Sequence, residues 1–164
     1  MTRTLTSRTL PAAAAATLSV LALAAGPAVA DGGHDVLRAD LVGSMPAPAS
    51  PQVAGINPGG APWVNGPSEV RVREDGRVDV RIRGLVIPPP RGTNTNPIAS
   101  VVVTLVCDGM VATSTAPFAL STAGDGRTRQ WVMVPKHCED AVALVQPDAN
   151  RAVYIASGMA EDDD

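Results

Sequence analysis

The chain has 164 residues, 13 basic and 16 acidic side chains, two histidines, two cysteines and only four aromatic residues (two Trp, one Tyr, one Phe). That length suits one domain. A formal net charge of −3 gives no global attraction to nucleic acid, and so few aromatics argue against the stacking platforms that hold single-stranded nucleic acid and sugars.

The first element is a leader. Arg3 and Arg8 are the only charges before Asp31, and they precede an alanine-rich apolar stretch over residues 10–25. Gly26 and Pro27 end that stretch, and Ala28-Val29-Ala30 supplies small residues for a peptidase. These are the three parts of a secretory signal, so residues 1–30 are expected to be a signal peptide cleaved between Ala30 and Asp31. Pro11, Thr17 and Ser19 interrupt the apolar stretch, which is shorter than the roughly 20 residues of a membrane anchor. No cysteine near the cleavage point offers a lipid site, and Glu161-Asp162-Asp163-Asp164 ends the chain. The expectation is a released extracellular protein without a membrane span, with a domain over 31–159 and a disordered acidic tail over 160–164. Without its leader the chain carries 11 basic and 16 acidic groups, a net charge of −5. Four of those acids lie in the tail, which leaves the body close to neutral.

Export takes Cys107 and Cys138 to an oxidising compartment, where two cysteines allow a single intramolecular bond. A disulfide is therefore expected. A metal site on His137 and Cys138 is disfavoured, because adjacent strand residues point to opposite faces and no C-x-x-C or H-x-x-x-H partner exists.

After the leader, Val, Thr and Ile clusters alternate with polar residues between Gly, Pro, Asp and Asn punctuation. This pattern predicts an all-β fold, a single immunoglobulin-like or related antiparallel β-sandwich of about eight short strands. The first strand spans 36–42, with Leu37, Ala39 and Leu41 on one face. Residues 44–67 are too rich in proline for a central strand. They read as a surface connection with a short edge strand over 53–56, pinned by Trp63.

Residues 69–87 form the clearest hairpin. A two-residue Asp75-Gly76 loop would pair Val72 with Asp79 and mix valine with aspartate on one face. A three-residue Glu74-Asp75-Gly76 loop, with Gly76 left-handed in a bulge, pairs Val72 with Val78 and Val70 with Val80. The outer face then pairs Arg71 with Asp79 and Glu69 with Arg81, so the three-residue loop is expected. Residues 88–97 are a loop. Residues 100–107 and 110–115 read as a hairpin turning at Asp108-Gly109. Residues 118–121 and 129–134 read as a further pair turning near Gly124-Asp125-Gly126, with Phe118 and Trp131 in the core. Residues 141–146 and 151–157 close the domain across a turn at 147–150.

Catalytic signals are sparse. His34 lies beside the new N-terminus, and His137 sits in a turn next to Cys138. No serine stands in a G-x-S-x-G context, so a Ser/His/Asp triad is disfavoured. Asp75, Asp108, Asp125 and Asp148 flank turns, which turn chemistry explains. The ligand candidates are Trp63 on its Gly/Pro loop and an arginine strip, Arg71, Arg73, Arg77, Arg81 and Arg83, on the 69–87 hairpin. Such a strip suits an anionic polymer. The competing reading is a solvated outer face with cross-strand ion pairs that blocks edge-to-edge aggregation.

At Gly55-Ile56-Asn57-Pro58-Gly59-Gly60-Ala61-Pro62-Trp63, Glu69-Val70-Arg71-Val72, Asp75-Gly76-Arg77-Val78 and Gly84-Leu85-Val86-Ile87, the chain resembles a family of small secreted actinobacterial proteins whose function is uncharacterised. Residues 135–138 and 153–156 fit it too. The resemblance covers nearly all of the chain after the leader, and it implies an exported β-domain without assigning an activity. Lys136 is the sole lysine beside many arginines, in keeping with a high-GC bacterial source. Ala39-Asp40-Leu41-Val42-Gly43-Ser44, a proline-rich stretch and a strand–Asp-Gly–strand hairpin are also similar to the opening of the chordin-type (CHRD) domain. The glutamate-proline-proline element and later histidine of that domain are absent here, so no site residues carry over.

The function expected is a secreted, non-catalytic module, without cofactor or metal, whose ligand is an anionic cell-envelope polymer or another secreted protein. The alternative is a secreted hydrolase or hydrolase inhibitor. A concave pocket holding His137 with two carboxylates would favour that alternative.

Overall fold

The computed structural model describes residues 33–160. The expected signal peptide, its Ala30/Asp31 cleavage point and the four terminal acids lie outside the described residues. Among the described residues there are twelve strands: β1 (Asp35–Asp40), β2 (Val42–Gly43), β3 (Asn57–Pro58), β4 (Glu69–Arg73), β5 (Arg77–Ile82), β6 (Ser100–Cys107), β7 (Met110–Ser114), β8 (Phe118–Ala119), β9 (Gly126–Trp131), β10 (Val142–Pro147), β11 (Val153–Tyr154) and β12 (Ala156–Met159). One sheet has the order β1-β4-β5-β9 and is antiparallel throughout. The second has the order β2-β12-β10-β6-β7, with β8 also pairing β6. The fold is an all-β sandwich.

Alternation builds the core. Leu37, Val70, Val72, Val78, Val80 and Ile82 from the first sheet pack against Val101, Val103, Leu105, Ala143 and Val145 from the second. Strand β6 is buried from Val101 to Cys107 on both faces, because its other face is covered as well. There Val106 of β6 and Leu144 of β10 meet Ile56 and Tyr154 in a smaller cluster. The proline-rich connection of residues 44–67 therefore covers the second sheet. The Tyr154 hydroxyl donates to the Pro51 carbonyl at 2.6 Å and fastens this cover. Burial pushes the phenol's pKa up against an opposing hydrogen bond from Ser50.

The chain changes sheets at Leu41, between β1 and β2. The Asn65 side chain brackets that switch, accepting from the Gly43 amide at 2.6 Å and donating to the Leu41 carbonyl at 2.7 Å. At the opposite side the Gln130 amide of β9 exchanges two hydrogen bonds with the backbone of Ala116, linking the edge of the first sheet to the connection between β7 and β8.

The 69–87 hairpin has the expected register, with Val72 opposite Val78, Val70 opposite Val80, Arg71 opposite Asp79 and Glu69 opposite Arg81. Gly76 is left-handed at φ 89°. The Asp108-Gly109 turn also forms as expected, with φ values of 53° and 74°, the two positive angles of a tight two-residue hairpin loop. Cys107 and Cys138 are bonded, with Cα atoms 4.8 Å apart.

Four expectations need correction. Val53 and Ile56 close a turn on each other, and the short strand is β3, one residue further on, parallel to β11. Residues 118–121 and 129–134 do not form a hairpin: β8 pairs β6 and β9 pairs β5, so the two segments belong to different sheets. Residues 151–157 divide, because β11 leaves to meet β3 and only β12 returns to β10. Trp131 is not in the core but 68% exposed. Val132 and Val134 take the inward positions instead, and alternation turns Trp131 and Met133 outward.

The disulfide joins the end of β6 in one sheet to the segment after β9 in the other, across 31 residues. In the chain-entropy model a loop of this length is worth about 3–4 kcal/mol. A Cys107→Ser/Cys138→Ser variant is expected to unfold with that loss in a denaturant titration; a midpoint equal to wild type would show that the bond adds nothing to stability.

Candidate functional site: an arginine-rich sheet face

The register of the four-stranded sheet lays its outward side chains in rows. One row reads Asp40, Glu69, Arg81, Arg127 across β1, β4, β5 and β9, and the next reads Arg38, Arg71, Asp79, Arg129. A third brings Arg77 opposite Trp131. Together with Arg83 just beyond β5, the arginines line an open depression of about 1030 Å³, which also includes the carboxylates of Glu69, Asp79 and Asp125.

Part of this charge is neutralised internally. Asp79 accepts from Arg129 Nε at 2.6 Å and from Arg77 Nε at 2.8 Å. Asp35 accepts from Arg71 Nε at 2.7 Å. Burial acts to raise the Asp79 pKa, but the hydrogen bonds and charges of Arg129 and Arg77 outweigh it and hold the carboxyl below its ordinary value. Arg81 and Arg127 differ. They face each other directly across β5 and β9, and neither takes part in a salt bridge among the described residues. Like charges directly opposite in a sheet destabilise it.

The sequence candidates separate. Arg71, Arg77, Arg81 and Arg83 line the depression. Arg73 does not: it is only 9% exposed, beside the bulge that offsets Asp35 and Leu37 in β1, where the Glu74 amide meets the His34 carbonyl. Trp63 is 5% exposed and belongs to the core, so it anchors the 44–67 connection and is absent from the arginine face. The face gains Arg38 from β1 and Arg127 and Arg129 from β9. The signal for them is the alternation Arg127-Thr128-Arg129-Gln130-Trp131, and Arg38 standing between Leu37 and Ala39.

A second depression, of about 230 Å³, holds His137 with Asp35, Glu74 and Glu139, the kind of arrangement named above as favouring the hydrolase alternative. No serine, threonine or tyrosine lines it, and a nucleophile within reach of its base is what acyl-transfer chemistry needs. Among the described residues no group of three His, Cys, Asp or Glu could hold a metal ion. No described helix is long and apolar enough to cross a membrane.

Comparisons with protein-family models, curated proteins and solved structures find no match.

Asp79 ties β5 to β9. Because its folded pKa lies below the unfolded value of 3.8, its stabilisation is full above that value and is lost as pH falls through the folded one. Asp79→Asn is expected to cost about 1 kcal/mol at neutral pH and to flatten the loss of stability below pH 3.8. Parallel acid-unfolding curves for the two proteins would contradict this.

Proposed function

We propose that this protein is an exported, non-catalytic module that binds an anionic cell-envelope polymer across the outer face of the β1-β4-β5-β9 sheet. The leader motif and the cysteine pair support export, since disulfides persist in oxidising compartments. One observation carries the binding: Arg81 and Arg127 are adjacent and like-charged on a concave face that every strand of the sheet supplies with arginine. Ion pairs at Asp79 and Asp35 serve the fold. Two facing cations oppose it; Glu69 stands opposite Arg81 on the other side, while Arg127 on the edge strand faces only Arg81 across the sheet, and a local rule broken in this way is expected at a functional site. Guanidinium groups suit that role because each presents a planar fork to carboxylate or phosphate oxygens.

A solvated, aggregation-blocking face accounts for charge on edge strand β9. It does not require cations in the middle of the sheet, where Arg71 and Arg81 stand on β4 and β5.

The test is retention of the purified protein on immobilised teichoic acid. Wild type is expected to bind at low salt and to elute as ionic strength rises. The Arg81→Glu/Arg127→Glu variant is expected to bind at least about tenfold more weakly. Absence of retention at low salt, or equal retention of the variant, would overturn the reading.

A further inference from the structure

Trp131 has no role in the core. It is 68% exposed on edge strand β9. It shares the outward side of that strand with Arg129 and Arg127, stands directly opposite Arg77, and is followed on the same side by Met133, which is 90% exposed. An indole beside a row of guanidinium groups offers two kinds of contact at once. Its flat face accepts the C–H side of a sugar ring while the ring's hydroxyls stay in water, and the arginines take carboxylate oxygens two at a time.

We infer that the polymer held by this face is an acidic glycan, with one sugar ring stacked on Trp131 and carboxylates of the same chain on Arg127 and Arg81. This rests on the anion-binding reading above and narrows its ligand to a uronate-type polysaccharide. Trp131 and Arg127 are four residues apart, about 13 Å along a strand, so a short run of rings spans both ends where a single sugar meets only one. Edge position leaves the indole approachable from the side of the sheet as well as from its face. Charge alone gives Trp131 no part, and a purely phosphate polymer has no ring to place on it.

The two tryptophans make the test direct, since Trp63 is buried and Trp131 is exposed. Tryptophan emission of the purified protein is followed during titration with polygalacturonate, linear polyphosphate and neutral dextran. Retention of wild type and Trp131→Ala on the same polymers is measured in parallel. Polygalacturonate is expected to shift the emission of wild type but not of Trp131→Ala, and to bind the variant roughly five- to tenfold more weakly. Polyphosphate retention is expected to be unchanged by the substitution, and dextran is expected not to bind. Unaltered Trp63 emission in the variant shows that the core is intact. Equal effects of Trp131→Ala on polygalacturonate and polyphosphate, or no effect on either, would overturn the glycan assignment while leaving the anion-binding reading standing. Failure of both polyanions to bind wild type would overturn both.

Discussion

Gly76 carries two constraints at one residue. Its φ of 89° completes the three-residue reversal between β4 and β5, a backbone angle that side chains with a Cβ rarely adopt. The Val132 amide donates to the Gly76 carbonyl at 2.9 Å, and the Val132 carbonyl oxygen would clash with a Cβ at this position. The same residue thus fixes the register of the hairpin and brings the end of β9 against it.

Everything on the outer face follows from that register. The side-chain period of a strand is two, so a slip of one residue would exchange the two faces. With Val72 opposite Val78, four valines enter the core together, and Arg71, Asp79, Glu69 and Arg81 stay outside together. Docking β9 beside β5 then places Arg129 against Asp79, Arg127 against Arg81 and Trp131 against Arg77. The first of these pairings stabilises the sheet. The second works against it.

The parts of this fold that could be read from sequence are those whose cause is local. Face parity on either side of Glu74-Asp75-Gly76 allowed one consistent loop length, and Asp108-Gly109 supplied the residue types a two-residue turn demands. The cysteine pair followed from the expected compartment and the count. Pairings between distant segments were not written in any short window. Residues 118–121 and 129–134 flank turn residues as hairpin strands would, but β8 and β9 join partners many residues away, in opposite sheets. Parity also decided Trp131. Its aromatic bulk suggested the core, yet Val132 and Val134 could not both face inward unless Trp131 and Met133 faced out. Arg73 shows the converse: the alternation that puts Arg71 outside predicts the same for Arg73, and the bulge in β1 changes that surrounding. The arginine site was therefore half visible. The β4–β5 hairpin showed it, and the contributions of β1 and β9 depended on which strands lay beside it.

The most direct test of this account is the pairing at the reversal, because a slip there would remove the arginine face altogether. Cross-strand nuclear Overhauser contacts in the purified protein are predicted to link Val72 with Val78 and Val70 with Val80 on one face, and Asp79 with Arg129 on the other. Contacts placing Val72 opposite Asp79 would contradict it.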